Sequence, residues 1–118
     1  MNTIAFARSI VEDIVLCGTH ATLDPVEAIA VVQAGESVVL VTPPKVTYPT
    51  YHQAEAEWTL YAVPGLATRA ETWDAIDDIV EQLRVVLDVD EVRPYDWQPD
   101  NGAPMVAAEI TVTTHHDT

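Results

Sequence analysis

The chain has 118 residues, of which 48% are hydrophobic, and its 19 acidic residues against 5 basic ones give a formal net charge of −14. This length and hydrophobic content suit one folded domain and argue against disorder. The acidity argues against binding nucleic acid through phosphates or docking on anionic membranes, and no apolar run approaches the ~20 residues of a membrane span. We therefore expect a single domain over residues 1–118, with the lone Cys17 as a small hydrophobe in a reduced setting.

The first third of the chain is predicted to be helical in two places. A helix is predicted over residues 3–17, because four apolar residues recur at helical spacing: Ile4, Ala7, Val11 and Ile14. Asn2 or Thr3 can cap this helix, and Gly18 can end it. Residues 18–25 have turn chemistry. The following stretch fits either a short helix capped by Asp24 or a β-run over residues 28–32, and we favour the helix.

Two strands are predicted in the middle of the chain. Residues 37–42 are a β-branched run that Pro43-Pro44 would end, because proline cannot donate a ladder hydrogen bond. Residues 53–63 alternate apolar and polar side chains, which predicts a half-buried strand. The segment between them, "PPKVTYPTYH", is longer than the two to five residues of a plain hairpin loop, and we interpret it as a stiffened excursion.

The last half is predicted to contain one helix and two strands. Thr68 and Glu71 have the spacing of a capping box, and an apolar stripe runs through the helix over residues 69–87: Trp73, Ile76, Val80, Leu83 and Leu87. Strands are predicted over 89–95 and 105–113, separated by a loop with an Asn101-Gly102 tight turn. Residues 113–118 are expected to be a flexible tail. The fold class is therefore α+β, with a largely antiparallel four-stranded sheet packed against two main helices.

The clearest cluster of chemically active side chains is acidic. Asp74, Asp77, Asp78 and Glu81 fall within about one quadrant of the third helix, opposite its apolar stripe. Carboxylates so grouped could hold Mg²⁺, but such sites usually need a second acidic helix, and Glu12 with Asp13 is a meagre partner. A solvated acidic face is the simpler interpretation.

Enzymatic motifs are missing from the sequence. It contains no G-x-S-x-G, G-x-G-x-x-G or P-loop pattern, and its four histidines lack a zinc spacing. We predict no catalytic residues, no metal site and no enzymatic activity.

The aromatic residues suggest where the protein makes contacts. Trp58 and Trp73 lie on predicted inward faces and are expected in the core. Tyr48, Tyr51 and Trp97 fall in predicted loops, where amphipathic aromatics are enriched in protein interfaces, and Lys45 adds a rare positive charge. We predict that Lys45, Tyr48 and Tyr51 contact a neighbouring subunit or another protein, although a simple exposed connection remains open. If copies assemble, Lys45 or Arg69 could meet a neighbour's acidic helix.

Several segments together resemble siphophage tail terminators, particularly the small terminator-type proteins of phages of actinobacteria. They span nearly the whole chain in order and spacing: "ATLDP", "VVLVTPPKVTYPT", "AEWTLYAVPG", "AETWDAIDDIVEQL" and "NGAPMVAAEITV". Residues 25–36 are longer than this pattern expects.

The resemblance implies a structural virion protein of tail-terminator-like fold with no cofactor. Such a protein assembles in the host cytoplasm as a ring, commonly a homohexamer, that caps the tail tube at the head-proximal end of the tail. Its partners would be its own copies, the tail tube protein and a head-side neck or connector protein, and DNA would pass without specific binding. Lys45, Tyr48 and Tyr51 would contact a neighbouring subunit or the tail tube. The acidic face would line the DNA channel or the outside of the ring.

The sequence is also compatible with two other functions. A head-closure or adaptor protein of the neck would share the small size and the ring. An acidic DNA mimic that inhibits a nucleic-acid enzyme would share the charge, but its carboxylates should follow a phosphate-like spacing along one surface.

Overall fold

The computed structural model describes residues 2–65, 69–97 and 105–117. These residues form three helices, α1 (Thr3–Leu16), α2 (Pro25–Gln33) and α3 (Arg69–Val86). The six strands are β1 (His20–Thr22), β2 (Val38–Val41), β3 (Lys45–Thr50), β4 (Gln53–Val63), β5 (Val89–Trp97) and β6 (Met105–Asp117). The predicted mixed α+β class is confirmed, but the count of four strands and two main helices was wrong.

The strands form one sheet in the order β1-β2-β4-β6-β5, with β3 paired to β4 beyond the end of β2. Only β1 and β2 run parallel, and the other described pairs are antiparallel. Thr42 and two prolines separate β2 from β3, and the two strands follow each other along the same side of β4. The sheet is therefore largely antiparallel, as predicted.

Helices α1 and α3 cover one face of the sheet. Their buried side chains, Ile10 and Ile14 on α1 and Ile76 and Leu83 on α3, join the inward side chains of β4 and β6 in one core cluster. Trp58 of β4 is the largest fully buried side chain in it. The half-buried alternation predicted for β4 is confirmed, because every second residue from Ala54 to Ala62 is buried.

Helix α2 lies against the opposite face of the sheet. Its Ala28 and Val32 pack on Val38 and Leu40 of β2, in a second cluster. All four residues of β2 are consequently buried. Asp24 caps α2, since its Oδ1 accepts the Val26 N–H at 2.9 Å. The helix favoured by the sequence is confirmed; what the sequence did not indicate is the face that it covers.

The apolar stripe of α3 is rotated from its predicted position. The buried arc is centred between Ile76 and Ile79, and Trp73 lies about 90° away from that centre at 100° per residue. The side chain of Trp73 is accordingly 45% exposed. The prediction that Trp73 belongs to the core was wrong, whereas the prediction for Trp58 is confirmed.

Two predicted irregular segments are strands instead. Residues 113–117, expected as a flexible tail, continue β6 and pair with residues 53–57 of β4. Most of the proline-rich excursion is β3, which pairs with β4 from Lys45↔Glu57 to Thr50↔Gln53. Pro49 is tolerated there because β3 is an edge strand, where the missing N–H can face solvent. The capping residue Thr68 and the Asn101-Gly102 turn lie outside the described residues.

Candidate interaction site

The predicted contact residues lie at one end of the sheet. We call residues 45–57 and 113–117 the arm: strand β3, the turn at Tyr51-His52, and the segments of β4 and β6 that extend beside them. The molecule measures 48 × 26 × 24 Å, and β3 contacts β4 more than it contacts any other element. The arm is thus a three-stranded extension of the sheet.

Lys45, Tyr48 and Tyr51 all belong to the β3 side of the arm. Lys45 is exposed at the start of β3, Tyr48 is 66% exposed within it, and Tyr51 is 100% exposed at the turn. A strand rises about 3.3 Å per residue, so the three side chains spread over about 20 Å. The sequence predicted a loop for all three residues, whereas Lys45 and Tyr48 lie in a strand and Tyr51 lies at the turn that follows it.

A register shift in β3 separates Lys45 from the two tyrosines. The ladder with β4 is regular from Lys45 to Thr47 and resumes at Thr50, with Tyr48 and Pro49 between. Such irregularities bend an edge strand and re-aim its side chains. Lys45 therefore sits in the ordered part of the ladder, and Tyr48 sits at the irregularity.

A hydrogen-bonded chain anchors the arm to α1. Trp58 Nε1–H donates to Thr114 Oγ1 at 2.9 Å, and that hydroxyl lies 2.7 Å from His116 Nε2. The ring of Phe6 on α1 contacts His116 edge-on, with 4.3 Å between centroids. Burial lowers the pKa of His116, as does nearby positive charge that includes His115. The neutral ring can accept a hydrogen bond from the Thr114 hydroxyl. This bond and the Phe6 contact hold the end of β6 against α1.

The sheet face opposite α1 and α3, which we call the open face, is polar where α2 does not cover it. Arg93 of β5 lies 3.0 Å from Glu109 and 3.5 Å from Glu91. Its hydrogen bond to Glu109 raises the pKa of Arg93, and the charges of both glutamates add to this effect. The pKa of Tyr61 is raised by burial and by Glu109. Tyr61 in turn contacts Tyr95, with ring centroids 4.9 Å apart.

The acidic residues of α3 occupy an exposed helix face. Asp74, Asp77, Asp78 and Glu81 are all exposed, and Glu81 pairs with Arg84 at 3.1 Å. Within the described part of the chain, no group of three or more histidine, cysteine or acidic side chains is arranged to hold a metal. The face lies on the far side of α3 from the sheet.

Trp97 and Arg69 were also predicted to make contacts. The side chains of Trp97 and Arg69 lie outside the described residues. His20 pairs with Glu36 at 2.5 Å near the other end of the sheet, whereas His52, His115 and His116 all lie in the arm. An apolar groove of about 300 Å³ between the first turn of α1 and Pro43-Pro44 was not anticipated, because its walls are distant in sequence.

No family model matches the chain, and no curated protein sequence is similar to it. No helix among residues 2–65, 69–97 and 105–117 is both long enough and apolar enough to cross a membrane. What the arrangement can do chemically follows from the side chains alone. An arm with exposed tyrosines and a lysine, on an acidic body, is suited to protein contacts.

Proposed function

We propose that the protein is a structural component of a phage tail, namely a tail terminator that assembles as a ring on the completed tail tube. Its copies would form the ring, commonly a hexamer, and the ring would present a docking surface to the head-side connector. The observation that carries the proposal is the arm, whose exposed tyrosines and lysine lie apart from the helix-covered core. Tyrosine is enriched at protein interfaces because it buries a large apolar ring and keeps one polar atom.

The charge of the molecule supports the same function. DNA has to slide through a finished tail, and an acidic ring avoids the counterion-release binding that basic surfaces produce. The mixed α+β fold also agrees with the fold that the resemblance implies. The exposed acidic face of α3 is available to a channel or to the outer surface of the ring.

Replacement of the three arm residues tests the proposal. The triple variant Lys45→Ser, Tyr48→Ser and Tyr51→Ser should leave the monomer folded, because all three side chains are exposed. It should fail to form rings, and tails assembled with it should vary in length or remain unjoined to heads. Sedimentation measures the mass in solution, and electron microscopy measures tail length and head joining.

A matched control removes exposed apolar surface from the helices. Leu16→Ser, Val26→Ser and Val85→Ser replace one such residue on each of α1, α2 and α3. This variant should assemble normally. Normal tails from the arm variant would refute the proposal, and equal failure of both variants would show that the arm is not specific.

A further inference from the structure

Two long strand edges have no pairing partner among the described residues. Strand β3 pairs only with β4, and β5 is the last strand of the sheet on the other side. Every residue of β3 except Val46 is exposed, and so are residues 90–96 of β5. Unpaired backbone donors and acceptors along such edges are templates for pairing with another chain. The third edge strand, β1, has only three residues.

The directions of the two edges suit each other. Strand β4 is antiparallel to β3 and to β6, and β6 is antiparallel to β5. Strands β3 and β5 therefore run in opposite directions on opposite sides of the same sheet. If β5 of a second copy lies beside β3 in a head-to-tail arrangement, the antiparallel alternation continues across the junction. Contacts of this heterologous kind generate rings when the rotation closes.

The charges of the two edges are complementary. Strand β3 carries Lys45 and no acidic residue, whereas β5 carries three acidic residues and one arginine: Asp90, Glu91, Asp96 and Arg93. Arg93 is already paired with Glu91 and Glu109 within the chain. Because most of the molecular surface is acidic, copies repel each other on most approaches, and these edges offer an attractive one.

The side chains also match by face. Lys45 is opposite Glu57 and Glu91 is opposite Thr111, which places Lys45 and Glu91 on the open face. Val46 is opposite Ala56 and Val92 is opposite Ile110, which places both valines on the face of α1 and α3. Val92 is 40% exposed in the single chain. In an antiparallel register with Lys45 opposite Glu91, Val46 lies opposite Asp90, and Val92 is its diagonal neighbour on the face of α1 and α3.

Prolines limit how far the two edges can pair. Pro49 and Pro94 lack the N–H that a ladder needs, so the usable segments are Lys45–Tyr48 and Val89–Arg93. The first segment contains Lys45 and Val46, and the second contains Glu91 and Val92. A register that sets Lys45 beside Glu91 aligns residues 45–47 with residues 89–91, so a short ladder of about three residues on each strand is available.

We propose that β3 of one copy pairs antiparallel with β5 of the next copy, with Lys45 beside Glu91 of that copy. This inference rests on the self-assembly in the proposed function and names the contact that performs it. The two edges lie on opposite sides of each subunit, so every copy can engage two neighbours at once.

Charge exchange is the first test. Lys45→Glu and Glu91→Lys should each weaken self-association about tenfold, as measured by sedimentation, because each places like charges side by side. The double variant should recover to within about threefold of the original protein. Asp77→Lys is the matched control, with the same charge change as Glu91→Lys on the exposed face of α3. Rescue of Lys45→Glu by Asp77→Lys, or no rescue by Glu91→Lys, would overturn the inference.

Cross-linking is the second test. In a Cys17→Ala background, a Lys45→Cys protein mixed with a Glu91→Cys protein should form a disulfide-linked dimer. The same Lys45→Cys protein mixed with Asp77→Cys should not. A link to position 77, or no link in either mixture, would overturn the edge pairing. Circular dichroism of each variant checks that it is folded.

The two proposals can fail separately. If tails terminate normally through the arm but no 45–91 link forms, the edge pairing is wrong and the terminator function stands. If the link forms but the arm variant leaves tail length and head joining unchanged, the edge pairing stands and the terminator function is wrong.

Discussion

Trp58 occupies the point at which the core and the arm meet. Its side chain is fully buried, and its indole N–H is satisfied by Thr114 in the last part of β6. A buried tryptophan with a paired N–H contributes both apolar burial and a hydrogen bond that cannot be replaced by water. The residue therefore links the packing of α1 and α3 to the pairing of the arm.

Trp58→Phe should lower the free energy of unfolding by about 2 kcal/mol, from the cavity left by the smaller ring and from the lost hydrogen bond. Trp73→Phe is the matched control and should change stability by less than about 0.5 kcal/mol, because Trp73 is 45% exposed. Urea denaturation followed by circular dichroism measures both. Equal effects of the two changes would contradict this account of the core.

Individual residue roles were predictable where a periodic pattern surrounded them. Trp58 lies in a clear alternation, so its burial followed from the sequence. Trp73 lies at the edge of a helical stripe, and a shift of the buried arc toward Ile79 was enough to expose it. Lys45, Tyr48 and Tyr51 were identified by their residue types, but their geometry depends on a pairing that no local pattern specifies.

At the scale of elements, two connections on the same end of the sheet contact each other. Gly65, which follows β4, lies against the backbone of Gly35, which ends the turn after α2. The Gly65 N–H also donates to Ser37 Oγ at 3.3 Å. A Cβ on Gly65 would overlap the Gly35 carbonyl. This close approach therefore connects α2, on one face of the sheet, to the end of β4, which precedes α3 on the other face.

Gly65→Ala should destabilise the protein by about 1–3 kcal/mol, because the backbone of Gly35 has to move to make room. Gly18→Ala is the control, because it measures the cost of an unfavourable backbone conformation without any steric overlap. Gly18 has a φ of +93° but no atom within 4 Å of an added Cβ, so its cost is conformational alone and about 1 kcal/mol. Thermal unfolding of both variants measures the difference. A Gly65→Ala protein as stable as the original would contradict the close contact.

The elements that the sequence predicted are those with a strong period or clear end signals. Helices α1, α2 and α3 and strands β2, β4, β5 and β6 all fall in this group. Strand β1 was missed because three residues carry too short a pattern. Strand β3 was missed because its side chains are mostly exposed, and the end of β6 was missed because its residues are polar and at most half-buried, so that no apolar pattern marks either strand.

At the scale of the whole molecule, the net charge limits whether the protein can bind DNA. The net charge of −14 is spread over 118 residues, and the acidic face of α3 adds a local concentration of it. Phosphate backbones bind proteins chiefly through lysine and arginine, of which the chain has five in total. A ring of the proposed kind should therefore let DNA pass without retaining it.

The purified assembly should not retain duplex DNA at physiological salt in a filter-binding or gel-shift experiment. A variant with Asp74→Lys, Asp77→Lys, Asp78→Lys and Glu81→Lys should gain binding that falls steeply as salt is raised, because it displays a local basic patch. This variant shows that the measurement can detect binding. Retention of DNA by the original protein would remove the support that charge gives to the proposed function.

The continuity of β4 and β6 has a mechanical consequence. Both strands run without interruption from the helix-covered core to the end of the arm, at Gln53 and Asp117. A load applied at Tyr51 is therefore transmitted through two ladders into the sheet beneath α1 and α3, and is not absorbed by a hinge. A contact at the tip of the arm is therefore coupled rigidly to the orientation of the whole subunit.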